Sequence, residues 1–333
     1  MDIVFLGAGA FGLPSLEALV RSGHRVVHVV SQPDRPAGRG KHAQPTAVAA
    51  WALERGIALT RMENVNSAEC VGALREMGAG CLVVIAFGQK LSEEVLSAAR
   101  HRAINLHSSL LPKYRGAAPI NWAVINGDKE AGVCVIDVTA VMDAGDIFAE
   151  ARAEVGESET AGELHDRLAE LGAPLLPRVL DQLEAGKAER RAQDGRQATR
   201  APKLSREMAW VDFRQDAAAV SARIRGMSPW PGVQVELVEE GGKVRVAATV
   251  LKCRAVEGGE HGAEACGRVL GDRTVACGRG SLELLVVQPV GKKAMEAGAF
   301  ANGYGLRAGA RVRSVVSPPS PPSPPPSPPP EAG

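Results

Sequence analysis

Asn105, His107 and Asp143 are the residues whose types and spacing suit them to moving a proton and holding a negative charge. Ala103 to Leu106 is a short apolar run that predicts a strand. Side chains two apart on a strand leave the same face, so Asn105 and His107 point the same way where the strand gives way to a loop. An amide donates a hydrogen bond without changing its charge, and imidazole exchanges a proton near neutral pH. Pro112 and Gly116 bracket the loop, residues 117–125 predict a helix, and residues 133–138 predict another strand. Asp143 then returns within Met142-Asp-Ala-Gly-Asp146. An amide, an imidazole and a carboxylate converging at the end of a parallel sheet suit acyl transfer to a nucleophile. Taken singly, each has a plainer reading: Asn as a turn residue, His as a hydrogen-bonded core residue, Asp as a cap.

The elements that must position these residues alternate. Asp2 to Leu6, Arg25 to Val30 and Cys81 to Ile85 read as buried strands, the last nearly all apolar, as in a parallel sheet covered on both faces. Residues 13–22, 46–55 and 68–77 read as helices, and 160–183 as a helical stretch broken at Gly172-Ala-Pro174. Gly7-Ala-Gly-Ala-Phe-Gly12 has the spacing of a dinucleotide fingerprint. The acid expected after the second strand is displaced to Asp34, behind Pro33, and the loop then turns basic. A tight strand-to-helix turn is therefore the preferred reading, with a nucleotide-dependent oxidoreductase as the competing one. Phe87 and Gly88 fall at the C-terminal end of the 81–85 strand, where Phe87 could flank a flat heterocycle or fill the core.

The chain has 333 residues, 45% of them hydrophobic and 4% aromatic, which suffices for two packed domains. Residues 1–184 hold 17 Lys+Arg against 23 Asp+Glu, a net of −6; residues 185–333 hold 22 against 15, a net of +7. A basic second half suits a polyanionic partner, or an ordinary solvated surface. The loop Gln32-Pro-Asp-Arg-Pro-Ala-Gly-Arg-Gly-Lys-His42 concentrates Arg35, Arg39 and Lys41 among prolines and glycines, a composition suited to ordering on phosphates. The cysteines, 70, 81, 134, 253, 266 and 277, form no Cys-x-x-Cys pair, so a zinc site is not expected and they read as reduced, apolar fillers. No apolar run reaches membrane-spanning length and no secretory signal opens the chain, which points to the cytoplasm.

Ala185 to Arg206 reads as a basic linker. Beyond it, one helix near 217–225 and short strand-like runs at 233–238, 244–251, 267–270, 274–277 and 282–287 predict a small barrel of the oligonucleotide-binding type. Residues 317–333 are a Ser/Pro repeat that predicts a disordered polyproline tail.

The run Asn105-Leu-His-Ser-Ser-Leu-Leu-Pro112, then Arg115-Gly-Ala-Ala-Pro-Ile120, then Asp143-Ala-Gly-Asp146, resembles the folate-dependent formyltransferases. Ser31 to Lys41, Lys203-Leu-Ser205, Pro229-Trp-Pro231 and Gln288 to Met295 extend the resemblance from Ile3 to about Val312, and it is greatest to the branch acting on initiator methionyl-tRNA. It implies a Rossmann-like domain at 1–184, a linker at 185–206 and an OB-like tRNA-binding domain at 207–316. The activity implied is transfer of the formyl group of 10-formyltetrahydrofolate to the α-amino group of methionyl-initiator tRNA, without a metal and by a monomer. It implies catalytic roles for Asn105, His107 and Asp143. Ser109, Leu110, Leu111 and Pro112, with Phe87 and Gly88, would bind folate, and Arg35, Arg39 and Lys41 would bind tRNA. A sugar-nucleotide N-formyltransferase is the alternative within the superfamily, and the basic loop argues against it. A non-catalytic RNA-binding protein is a further alternative. The segment before Lys203 lacks the aromatic residue the family leads one to expect.

Overall fold

The computed structural model describes residues 1–37, 42–271 and 273–317, arranged in two compact units. The first comprises Met1–Leu204 with Arg225–Pro229; the second comprises Ser205–Ile224 and the chain from Trp230 onward.

In the first unit the chain runs β1 (Asp2–Gly7), α1 (Leu13–Val20), β2 (Arg25–Ser31), β3 (Arg35–Ala37), β4 (His42–Gln44), α2 (Ala47–Glu54), β5 (Leu59–Arg61), α3 (Ala68–Glu76), β6 (Cys81–Ile85) and α4 (Glu93–Leu96). It continues with β7 (Ala103–His107), β8 (Arg115–Gly116), α5 (Pro119–Ile125), β9 (Glu130–Asp137), β10 (Ile147–Glu154), α6 (Ala161–Gly172), α7 (Leu175–Glu184) and β11 (Arg200–Ala201). Seven strands form one sheet in the order β10-β9-β7-β6-β1-β2-β5. The strands from β5 to β7 in that order run parallel, whereas β9 and β10 add antiparallel to the edge.

Burial on both faces accounts for the near-continuous apolar strands. One face packs Ile3, Phe5, Val83, Ile104 and Leu106 against residues of α1, α2, α6 and α7; the other packs Val4, Leu6 and Val84 against α3 and α4. Helix starts follow local chemistry. Thr46 and Ser67 cap α2 and α3 by accepting from backbone N–H groups three residues on, and Thr160 with Glu163 forms a reciprocal capping box on α6. Pro174 separates α6 from α7 where the composition predicts a break.

The glycines of the fingerprint are explained by packing. A Cβ at Gly7 would lie 2.6 Å from the Phe5 ring, and one at Gly12 would lie 3.0 Å from it, so both glycines make room for a buried aromatic at the strand-to-helix turn.

The second unit contains α8 (Ala217–Gly226, whose last two residues belong to the first unit), β12 (Val233–Val238), β13 (Val244–Glu260), β14 (Val269–Gly271), β15 (Thr274–Ala276), β16 (Arg279–Pro289), β17 (Met295–Glu296), α9 (Ala297–Tyr304) and β18 (Arg311–Ser314). Its antiparallel sheet has the order β14-β15-β16-β13-β12-β18, with β17 on β16. The two ends of that order meet. Arg268 bridges Arg311, and the Val312 N–H donates to the Gly267 carbonyl at 2.7 Å, so the sheet curls back on itself as a small barrel does. The fold class read from the sequence, a Rossmann-like domain followed by an OB-like β domain, is the one observed. The Ser/Pro repeat from residue 318 onward lies outside the described residues.

Candidate active site

The C-terminal ends of β6 and β7, the start of α5 and the loop after β9 surround a cavity of about 590 Å³. Asn105, His107 and Asp143 all line it. Alternation explains the first two: Ile104 and Leu106 turn into the core under α6, which leaves Asn105 and His107 on the opposite face of β7.

His107 is buried, 6% exposed, and its Nε2 lies 3.0 Å from the Tyr114 carbonyl oxygen. A carbonyl only accepts, so Nε2 carries the proton and the neutral ring keeps its lone pair on Nδ1. Nδ1 lies 3.7 Å from Asp143 Oδ1, beyond a direct hydrogen bond but close enough for strong attraction once the ring gains a proton. The other carboxylate oxygen of Asp143 accepts from the Gly116 N–H at 2.8 Å. Asp143 holds a left-handed backbone with φ +54°, which turns its side chain towards His107. Gly116 has φ +131°, and a Cβ there would lie 2.6 Å from the Ala201 carbonyl, so close approach of β11 to β8 requires glycine. The Asn105 side chain takes part in no hydrogen bond among the described residues, which leaves its amide available to a ligand.

The cavity wall also contains residues that the sequence reading passed over. Phe11 and His165 meet edge to face, with centroids 5.2 Å apart. Asp137 lines the cavity and pairs with Arg190 at 3.3 Å; burial lifts its carboxyl above the ordinary range, against the opposing pull of Arg190 and Arg102. Gln193 sits behind the Asp143 loop, donating to the carbonyls of Asp143 at 2.9 Å and Gly145 at 2.7 Å. A Gln inside a basic stretch has no local pattern that would have signalled it. Burial pushes the Cys81 and Cys134 thiols up, to about 12 and about 11, which removes them as nucleophiles.

The expected folate residues divide. Phe87 and Gly88 line the cavity, and the Phe87 carbonyl accepts from Gln32 Nε2 at 3.0 Å. Ser109, Leu110, Leu111 and Pro112 do not line it; Ser108 does. Ser109 Oγ closes the turn by donating to the Lys113 carbonyl at 2.7 Å. Leu110 packs over Gly132, and Leu111 is buried with Cys134, Ile136 and Ile147 ahead of a cis bond to Pro112. Of the expected tRNA residues, Arg35 starts the β3–β4 hairpin and forms an exposed ion pair with Glu63 at 3.4 Å, while Arg39 and Lys41 lie outside the described residues.

Several bases in the stretch read as a linker are neutralised. Arg190 pairs with Asp137, Arg191 with Glu150 and Arg196 with Asp194. That stretch also packs along the first unit. The Thr199 hydroxyl accepts from the Tyr114 N–H at 2.9 Å, and β11 pairs with β8.

The profile of the formyl transferase family matches residues 1–180, and that of the formyl transferase C-terminal domain matches residues 203–305. A methionyl-tRNA formyltransferase of Solibacter usitatus is 43% identical over 308 residues, covering 92% of this chain and 96% of that one. Another, of Ruegeria pomeroyi, is 39% identical over 313 residues, covering 94% of this chain and 100% of that one. Among solved structures, an N-formyltransferase from Helicobacter canadensis in complex with folinic acid and dTDP-3-aminofucose superposes with a TM-score of 0.59 over 86% of this chain and 98% of that one. Its identity of 13% makes that a likeness of fold alone.

Proposed function

The chain belongs to the formyl transferase family, and from that premise we propose how the cavity around His107 carries out the family's reaction. The protein is a methionyl-tRNA formyltransferase: it transfers the formyl group of 10-formyltetrahydrofolate to the α-amino group of methionyl-initiator tRNA. One observation carries the assignment of roles. The Nε2–H of His107 is committed to the Tyr114 carbonyl, so Nδ1, beside Asp143, offers a lone pair in the cavity that Asn105 also lines.

An α-amino group titrates at about 7.7 to 8.0, so much of it is protonated at neutral pH and must release one proton to solvent before it attacks as the neutral amine. His107 Nδ1 accepts a proton from the attacking amine as the new C–N bond forms at the formyl carbon. The tetrahedral oxyanion receives a hydrogen bond from the Asn105 amide, a contribution of roughly 3 to 4 kcal/mol in comparable sites. Asp143 faces the imidazolium and holds it by charge. Collapse breaks the bond to N10 of the folate, which takes up the proton from His107. Phe87 and Gly88 flank the folate ring, while Leu111, buried against the cavity-lining Ile136, supports the wall from behind.

The acceptor tRNA is held by the Arg35–Lys41 loop and by the basic second half of the chain. The loop begins beside the cavity, because Gln32 is tied to Phe87. The functional division is a catalytic domain at 1–184, a linker at 185–206 and an OB-like tRNA-binding domain at 207–316. The protein works as a monomer in the cytoplasm; no helix among the described residues is long and apolar enough to cross a membrane. The test is to incubate purified protein with 10-formyltetrahydrofolate and charged initiator tRNA, scoring formyl-methionine. The His107→Ala variant should lose most turnover at every pH near neutrality while keeping its unfolding temperature. Near-parent turnover would remove the base assignment.

A further inference from the structure

We propose that Gln193 is a positioning residue for the formyl transfer, acting through Asp143 without touching either substrate. The proposal rests on the roles assigned above to His107 and Asp143.

All four hydrogen-bonding valences of the Gln193 amide are used. Its Nε2 donates to the carbonyls of Asp143 at 2.9 Å and Gly145 at 2.7 Å, and its Oε1 accepts from Arg115 Nε at 3.1 Å and from Arg115 Nη2 at 2.7 Å. The amide orientation is fixed at both ends, because carbonyls only accept and guanidinium only donates. The two loops that it joins each hold part of the catalytic pair. On one side, Tyr114 accepts from His107 Nε2 and Gly116 donates to Asp143 Oδ2, with Arg115 between them. On the other side is Asp143 itself, in the left-handed region that costs a non-glycine residue energy.

The other closures of the Asp143 loop reach different carbonyls. Its own closures are the Asp137 N–H to Asp146 O at 2.9 Å, the Ala144 N–H to Val141 O at 3.3 Å, and the Thr139 hydroxyl to Val141 O at 3.0 Å. None of these contacts the Asp143 or Gly145 carbonyl. Gln193 therefore fixes the 3.7 Å spacing of His107 and Asp143 from behind the cavity, and it is not among the residues that line the cavity.

The test is a double-mutant cycle in the full chain, with steady-state formylation of charged initiator tRNA and thermal unfolding measured on each variant. Gln193→Ala and Gln193→Glu should each lower kcat by about ten- to a hundredfold, the range for misplacing a reacting group by about 1 Å. KM for folate and for tRNA should stay within about threefold, because no substrate contact is lost. The Glu variant keeps the acceptor for Arg115 but cannot donate to the two carbonyls, so it isolates the half of the amide that serves Asp143. In an Asp143→Ala background, Gln193→Ala should add less than about twofold, since the residue it serves is gone. An undiminished loss in that background would overturn the proposal and leave the Asp143 assignment standing. An Asp143→Ala enzyme as active as the parent would overturn both. A Gln193→Glu enzyme with parent kcat would overturn the positioning role alone.

Discussion

Replacing Asp143 by Asn removes a charge and leaves the local architecture in place. The amide oxygen of Asn can still accept from the Gly116 N–H, now 2.8 Å from the carboxylate, and Asn tolerates the left-handed backbone at φ +54° as well as Asp does. The attraction between the carboxylate and a protonated His107 is lost. At 3.7 Å and an effective dielectric of about 20, that attraction is about 4 kcal/mol. Asp143 is 13% exposed and His107 6%, so solvent screening takes only a modest part, leaving about 3 kcal/mol. The imidazolium forms as the amine attacks, so the loss falls on the transition state. At 1.36 kcal/mol per factor of ten, kcat should fall by roughly a hundredfold with KM nearly unchanged. The assay is single-turnover formylation of charged tRNA at saturating folate, with circular dichroism to establish that the variant is folded. A folded Asp143→Asn enzyme within threefold of the parent would show that the carboxylate does not stabilise a charged His107 during transfer.

Asn105→Ala should lower kcat by about a hundred- to a thousandfold if its amide meets the oxyanion, and a change confined to KM would place it in substrate binding instead. Leu111→Ala should lower stability by about 2 to 5 kcal/mol, read by denaturant unfolding, because Leu111 is buried against Cys134, Ile136 and Ile147; unchanged stability with weakened folate binding would return it to the ligand pocket. Burial raises the folded-state value of Asp137 above the ordinary 3.8, so its favourable contribution is complete below that value and is lost as pH climbs through the folded one. Asp137→Asn should therefore gain unfolding temperature on the parent at pH 7.5, with the gap closing towards pH 4; a pH-independent gap would contradict the linkage. Arg39→Ala should slow formylation of charged tRNA by more than about tenfold while sparing folate affinity and a small amine acceptor at saturation, and an equal loss on both acceptors would mean that the loop does not read tRNA.

How much of this was legible in the sequence depended on the range of the interaction. Asn105 and His107 could be placed together because strand alternation fixes side-chain direction over two residues, and the structure sets both on the cavity face of β7. The turn at Gly7–Gly12 was legible as a turn, but its cause was not: the glycines yield to the Phe5 ring, a contact that no spacing encodes. The antiparallel addition of β9 and β10 depends on sheet-edge pairing, to which a buried apolar run is indifferent. Helix α9, Ala-Gly-Ala-Phe-Ala-Asn-Gly-Tyr, is held by packing against its surroundings despite two glycines, so propensity hid it. Leu111 lies three residues beyond a cavity residue, Ser108, yet turns into the core; where a loop reverses is decided by what lies beneath it.

The support of the His107–Asp143 pair was the least visible part for the same cause. His107 and Tyr114 are seven residues apart and Gly116 and Asp143 twenty-seven, whereas Gln193 and Arg115 are separated by seventy-eight and Thr199 and Tyr114 by eighty-five. Each long-range bond is made to a backbone group or to a neighbour's guanidinium, partners present in every sequence and therefore carrying no signature. The proposed chemistry needs a particular side chain at the cavity, and that requirement marks Asn105, His107 and Asp143. Holding those groups still needs only a donor or acceptor arriving from the right direction. An amide in an otherwise basic stretch meets that need as soon as β11 pairs with β8, a pairing that brings residues 193–201 against 114–116. On the proposed role of Gln193, the precision of the site comes from a segment whose composition suggests only a connection between domains.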